Sequence, residues 1–86
     1  MPRYFFNIVR DRTVIDDPEG DVLSGDAEAR LHAATTARAM FAERHKYRQS
    51  GRHLAQWAFK ITDESDRHVA TVLFSDALQA DKTMDD

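Results

Sequence analysis

The sequence predicts an α+β domain: a four-stranded, mainly antiparallel sheet in the order ββαββ, one long helix packed on one face, and a short C-terminal helix. Three observations carry this prediction. Apolar and aromatic residues alternate at period two over residues 4–10 and again over 56–62. Between these stretches lies an alanine-rich segment whose apolar residues recur at helical spacing. Polar clusters at residues 10–13, 17–20 and 63–66 supply the turns.

In the first strand, Tyr4, Phe6 and Ile8 fall on one face, with Phe5 and Val9 on the other. The chain then turns into a short second strand at residues 13–15. Asp17-Pro18-Glu19-Gly20 suits a type I turn, because Asp accepts from the backbone, Pro presets φ and Gly closes the turn. Val22 and Leu23 form a short extended piece. Asp26 is the expected N-cap, and Glu28 favours the first helical turn. The predicted helix runs to about Gln49, with Gly51 placed to end it. Its stripe is Ala27, Leu31, Ala34, Ala37 and Phe41, widened by Ala33 and Met40.

Beyond Phe41 the stripe fades, and His45 and Arg48 stand where it would continue. A helix of roughly 24 residues spans ~36 Å, whereas a strand of about seven residues spans ~23 Å. The last turns are therefore expected to overhang the sheet and to be more exposed than those before Phe41.

Trp57, Phe59 and Ile61 share one face of the third strand, and residues 68–74 form a fourth strand with apolar residues on both faces. Ser75 caps a short final helix through Asp76, Ala77 and Leu78. The domain is expected to cover residues 1–80, leaving 81–86 as a disordered acidic tail. Strands apolar on both faces suit central positions, which predicts the order second, first, fourth, third. One helix covers one face only. Phe5, Val9, Val72 and Phe74 are then left on the other, to be covered by the C-terminal helix or by a second copy in a homodimer.

With 86 residues the chain makes one domain, near the lower end of the size at which a single core suffices. It has no cysteine, which excludes disulfides and Cys-based zinc sites. His32, His45, His53 and His68 form no pair at metal-ligating spacing. Asp16, Asp17, Glu19 and Asp21 are dense enough for a divalent cation, but their offsets are not those of an EF-hand, and the segment reads as a solvated turn. No catalytic residue, metal or cofactor is expected. The N-terminus lacks the features of a signal peptide and no apolar run reaches membrane-spanning length, so a cytoplasmic protein without a membrane partner is expected.

The net charge of −3 hides a segregation. Residues 38–53 carry Arg38, Arg44, Lys46, Arg48 and Arg52 against Glu43 alone, a net +4, which leaves −7 for the remainder. Cations are common at helix C-termini and on exposed overhangs. The same cluster is also the candidate contact for an acidic protein or a nucleic acid, through Arg44, Lys46, Arg48 and Arg52, with Tyr47 available for stacking. The expected function is a non-catalytic protein-binding or self-assembling module; the alternative is a nucleic-acid-associated protein using this basic end.

Met1-Pro2-Arg3-Tyr4-Phe5-Phe6, the Asp17-x-Glu19-Gly20 turn, the alanine-rich helix from Ala27, the Thr62-Asp63-Glu64 strand end, Arg67 and Phe74-Ser75-Asp76-Ala77 run through nearly the whole chain. In these features the chain resembles a family of small bacterial proteins classed as a domain of unknown function. Members commonly have His where this chain has Asn7, and glycine turns where it has Arg12 and Asp66. The resemblance implies a fold and a compartment, but no activity and no site.

Overall fold

The N-terminal alternation builds the centre of the sheet. In a computed structural model, which describes residues 1–83, β1 (Arg3–Arg10) pairs antiparallel with β2 (Thr13–Ile15) and, along the same side, with β3 (Asp21–Val22). Its other side takes β4 (Ala58–Asp63), which pairs in turn with β5 (His68–Leu73), giving the order β2-β1-β4-β5. Between β3 and β4 run α1 (Asp26–Ala42), a 3-10 turn (Arg44–Tyr47) and α2 (Gly51–Leu54); α3 (Phe74–Thr83) follows β5. The α+β prediction holds.

The expected strand order does not. The strand at 58–63 is central and the strand at 68–73 is the edge. Apolar residues on both faces of β5 suggested a central strand, but they have other causes. A β-bulge shifts the register so that Ile61 faces Ala70 while Thr62 faces His68, leaving Val69 as the extra residue. Leu73, at the other end, is simply exposed.

The core lies between the sheet and α1. Tyr4, Phe6, Trp57, Phe59, Ile61 and Phe74 meet Ala29, Ala33 and Ala37, the three alanines being fully buried. The aromatic rings interlock at centroid distances of 5.0 Å for Phe59 and Phe74 and 6.3 Å, edge to face, for Phe6 and Phe59. Bulky sheet residues leave room only for small ones on the helix. The buried stripe is Ala29, Ala33 and Ala37, with Ala34, Met40 and Phe41 packed against the core; of the expected stripe, Ala27 and Leu31 fall outside it, Ala27 exposed and Leu31 63% exposed.

Helix α1 also ends earlier than expected, at Ala42. Its 17 residues span ~26 Å, the same as the eight residues of β1 at strand spacing. The length mismatch is resolved by stopping the helix, not by overhang, and Arg44, His45 and Arg48 are exposed as the fading stripe predicts. Arg48 adopts a left-handed conformation with φ 57°. Gly51 has a different task from ending the long helix: a Cβ there would meet the Phe41 ring at 2.7 Å, so glycine lets α2 close on Phe41.

At the N-terminus of α1 the cap position is Gly25, and Asp26 is the first helical residue. Ser24, one residue before the cap, donates both its hydroxyl and its amide to the Glu28 carboxylate, at 2.9 and 3.3 Å. Helix α3 packs beside α1, with Ala77 in the common core and the Arg38 guanidinium donating to the Ala77 carbonyl. It starts at Phe74 and takes in residues 81–83, assigned to the tail on sequence; residues 84–86 lie outside the described residues. The C-terminal helix thus shares the α1 side, and the opposite sheet face is left to other cover.

Candidate functional site

Strand register decides what that opposite face presents. Directly paired residues point the same way. Val14, Val9, Ala58 and Leu73 therefore form one row across β2, β1, β4 and β5. Asn7, Lys60 and Thr71 form the next row, and Phe5 lies beyond with Thr62.

The loop after β2 closes the Phe5 end of this face. Asp17 is its pin: one carboxylate oxygen accepts the Phe6 amide at 3.1 Å, and the other accepts the amides of Glu19 and Gly20. Asn7 grips from the sheet, accepting the Asp17 amide at 2.9 Å and donating to the Lys60 carbonyl and the Thr62 hydroxyl. Gly20, at φ 69°, lies so close that a Cβ would meet the Tyr4 carbonyl at 2.6 Å and the Phe5 ring at 3.0 Å. The expected turn chemistry is present, and it serves to bolt the loop down.

The Val9 end has no such cover. Val14 is 53% and Leu73 44% exposed, flanking half-buried Val9 and buried Ala58. This is not the predicted patch. Phe5 and Val9 do lie on this face, but Val72 pairs with Phe59 and points to the helix side. Phe74 is fully buried there, against Trp57 and Phe59. The phase of the fourth strand is the opposite of the one expected, so Leu73 takes the place given to Val72 and Phe74.

The basic segment divides in two. The Arg44 guanidinium lies 4.6 Å from the Phe41 ring centre and donates to the Phe41 carbonyl, and Lys46 pairs with Glu43 at 3.5 Å. Arg48 and Arg52 are exposed and, among the described ion pairs, engage none. The stacking role expected of Tyr47 falls on a side chain outside the described ones. Nearby, the Arg10 guanidinium lies 5.0 Å from the centre of the Trp57 ring, a cation–π contact that seals the core end.

One polar cluster was not foreseen. Tyr4 donates its hydroxyl to Asp26 at 2.8 Å, and Arg67 donates to both Asp26 oxygens at 3.2 Å and to Asp63 at 2.9 Å. Asp63 also accepts the amides of Ser65 and Arg67. The Tyr4 hydrogen bond, reinforced by Arg67, holds the Asp26 carboxyl below its ordinary value; the Arg67 amide and guanidinium do the same for Asp63. Burial, and then the Asp26 carboxylate, push the Tyr4 phenol up. Every member has a partner, so the cluster is a clasp joining β1, α1 and the β4–β5 turn. No local signal in the sequence links positions this far apart.

An open cleft of about 370 Å³, lined by Leu23, Glu28, Leu31, His32 and Thr35, lies beside α1. Its His32 is 3.3 Å from Asp21. Among the described residues no three His, Cys, Asp or Glu side chains gather to hold a metal ion, and no helix is long and apolar enough to cross a membrane.

A model of a domain of unknown function, DUF6894, matches residues 3–75. The chain belongs to this family. No curated protein and no solved structure matches it. The DUF6894 match takes in the sheet, the Asp17 loop, the Tyr4–Asp26–Arg67–Asp63 clasp and the basic segment, and ends one residue into α3 after Phe74.

Proposed function

We propose that this DUF6894 chain is a non-catalytic self-assembling module that associates with a second copy through the part of its sheet that it leaves uncovered. One observation carries the reading: the Val14–Val9–Ala58–Leu73 row is apolar, and both its ends are exposed. The same face is bolted shut a few residues away, so the bare end is a local feature, not a general want of cover. Small domains gain markedly from burying such a row between copies. Sedimentation velocity at tens of micromolar tests it: a species of about twice the 9.9 kDa chain mass is expected, and a clean monomer overturns the reading.

A second reading is favoured by Arg48 and Arg52, which project into solvent from one short segment of an otherwise acidic chain. It is a contact with a nucleic-acid backbone. Fluorescence anisotropy with labelled single-stranded DNA and RNA at low salt checks it. Binding that weakens steeply with salt and is lost on Arg48→Ala/Arg52→Ala supports this reading, and no binding at low salt removes it.

A further inference from the structure

We infer that the second copy pairs along the open edge of β5, antiparallel to its own twin, so that the two five-stranded sheets join into one continuous sheet. The inference rests on the self-association proposed above and places the contact at the β5 edge, where the apolar row ends in Leu73; of that row, edge pairing covers Leu73 alone.

The outer edge of β5 is unpaired among the described residues. Its orientation follows from a single hydrogen bond. The Phe74 amide donates to the Trp57 carbonyl at 3.0 Å, so Phe74, and by alternation Val72 and Ala70, direct their backbone groups toward β4. Thr71 then directs its N–H and C=O, and Leu73 its N–H, outward from the sheet, while the Leu73 carbonyl opens α3. Burial agrees: Phe59 and Ile61 of β4 are 3% and 0% exposed, while their neighbours Val72 and Ala70 on β5 are only half-buried.

Sheet edges in monomeric proteins are normally blunted by charge, proline, bulges or shortness. The opposite edge obeys this rule, since β2 has three residues and is followed by Asp16, Asp17 and Pro18. On β5 the only such device is the bulge at Val69. From Ala70 to Leu73 the edge is regular, without lysine, arginine, acid or proline.

The occupant is a second copy for two reasons. A strand free of formal charge meets its twin without like-charge repulsion, and antiparallel pairing about a twofold axis places the same groups opposite each other. Such pairing also closes. Among the described residues it consumes the longer outer edge of each chain and leaves the short β2 and β3 edges, so the product is a dimer and not a fibre. Leu73, exposed at the rim, gains cover from the partner strand.

Two variants and one spectroscopic measurement test this on the full chain. Thr71→Pro removes an outward N–H without taking a bond from the β4 ladder, a position where edge strands tolerate proline. Leu73→Lys places two ammonium groups near the twofold axis and leaves the core untouched. Each is expected to sediment as a monomer at concentrations where the parent is a dimer, with the far-ultraviolet circular dichroism of the fold retained. In the parent, hydrogen exchange at the Thr71 and Leu73 amides is expected to slow at least tenfold as concentration crosses the dimerisation range. A dimer whose Thr71 and Leu73 amides exchange freely, or one that survives Leu73→Lys, overturns edge pairing while self-association stands. A parent that is monomeric throughout overturns both.

Discussion

The two faces of this sheet are made by alternate residues of the same strands and are sealed in opposite ways. On the helix face, rings from β1 and β4 lie against Ala29, Ala33 and Ala37, and the seal is continuous from Tyr4 to Phe74. On the other face, among the described residues, cover comes from the Asp17 loop, held by hydrogen bonds through Asp17 and Asn7, and it stops short of Val9. The difference teaches that apolar content along a strand does not say which face is closed. Closure depends on what the connecting segments bring, and here one connection brings a helix and the other a five-residue loop.

The largest test of the contrast is removal of a ring from the closed face. Phe59→Ala and Phe6→Ala are each expected to destabilise the fold by ~3–5 kcal/mol, since both are buried among other rings that cannot collapse into the space. Urea denaturation measures this, and a cost below about 1 kcal/mol would mean that the face is less tightly packed than described.

A smaller loss is expected where the second face is bolted. Gly20→Ala combines a left-handed φ with a collision against the Tyr4 carbonyl, for a cost of about 1–3 kcal/mol. The conformational part should be partly relieved in Gly20→Asn, because asparagine tolerates this region better than alanine. If the two variants cost the same, the close approach dominates over φ.

These positions show what the sequence reveals. Tyr4, Phe6 and Ile8, and Trp57, Phe59 and Ile61, announce their shared face by spacing alone, and the Asp17–Gly20 turn announces itself by chemistry. The helix stripe is legible from Ala33 to Phe41 but not at its start, because size is a poor guide when the facing sheet is aromatic: Leu31 looks like core, and Ala29 does not. Strand order was misread because the β5 bulge breaks the alternation on which phase rests. The clasp is illegible for another reason: Asp26, Asp63 and Arg67 meet only after the fold exists.

That clasp sits on the rim between the faces and supplies a third test, in pH. Asp26 and Asp63 both have depressed folded values, so their contribution is present above the ordinary aspartate value of 3.8 and is lost as the pH falls through the folded values. Stability is therefore expected to decline below about pH 4, and Asp63→Asn should flatten that decline while lowering the plateau at neutral pH. A denaturation series from pH 2 to 7 reads both. An acid limb unchanged in Asp63→Asn would assign it to other carboxylates.

The smallest effects belong to the bare row, and their concentration dependence carries the information. Leu73→Ser and Val14→Thr change side chains 44% and 53% exposed in the single chain, so each should alter monomer stability by no more than ~0.5 kcal/mol. Mass action adds to this whatever the partner covers, and only at concentrations where the dimer is populated. Edge pairing buries Leu73, on β5, and leaves Val14, on β2 at the far side of the sheet, in water. Thermal unfolding at submicromolar and at 100-fold higher concentration should therefore show a growing deficit for Leu73→Ser and a constant one for Val14→Thr. If both deficits grow together, the copies meet face to face across the whole row; if neither grows, the row is exposed in the assembled protein as it is in the single chain.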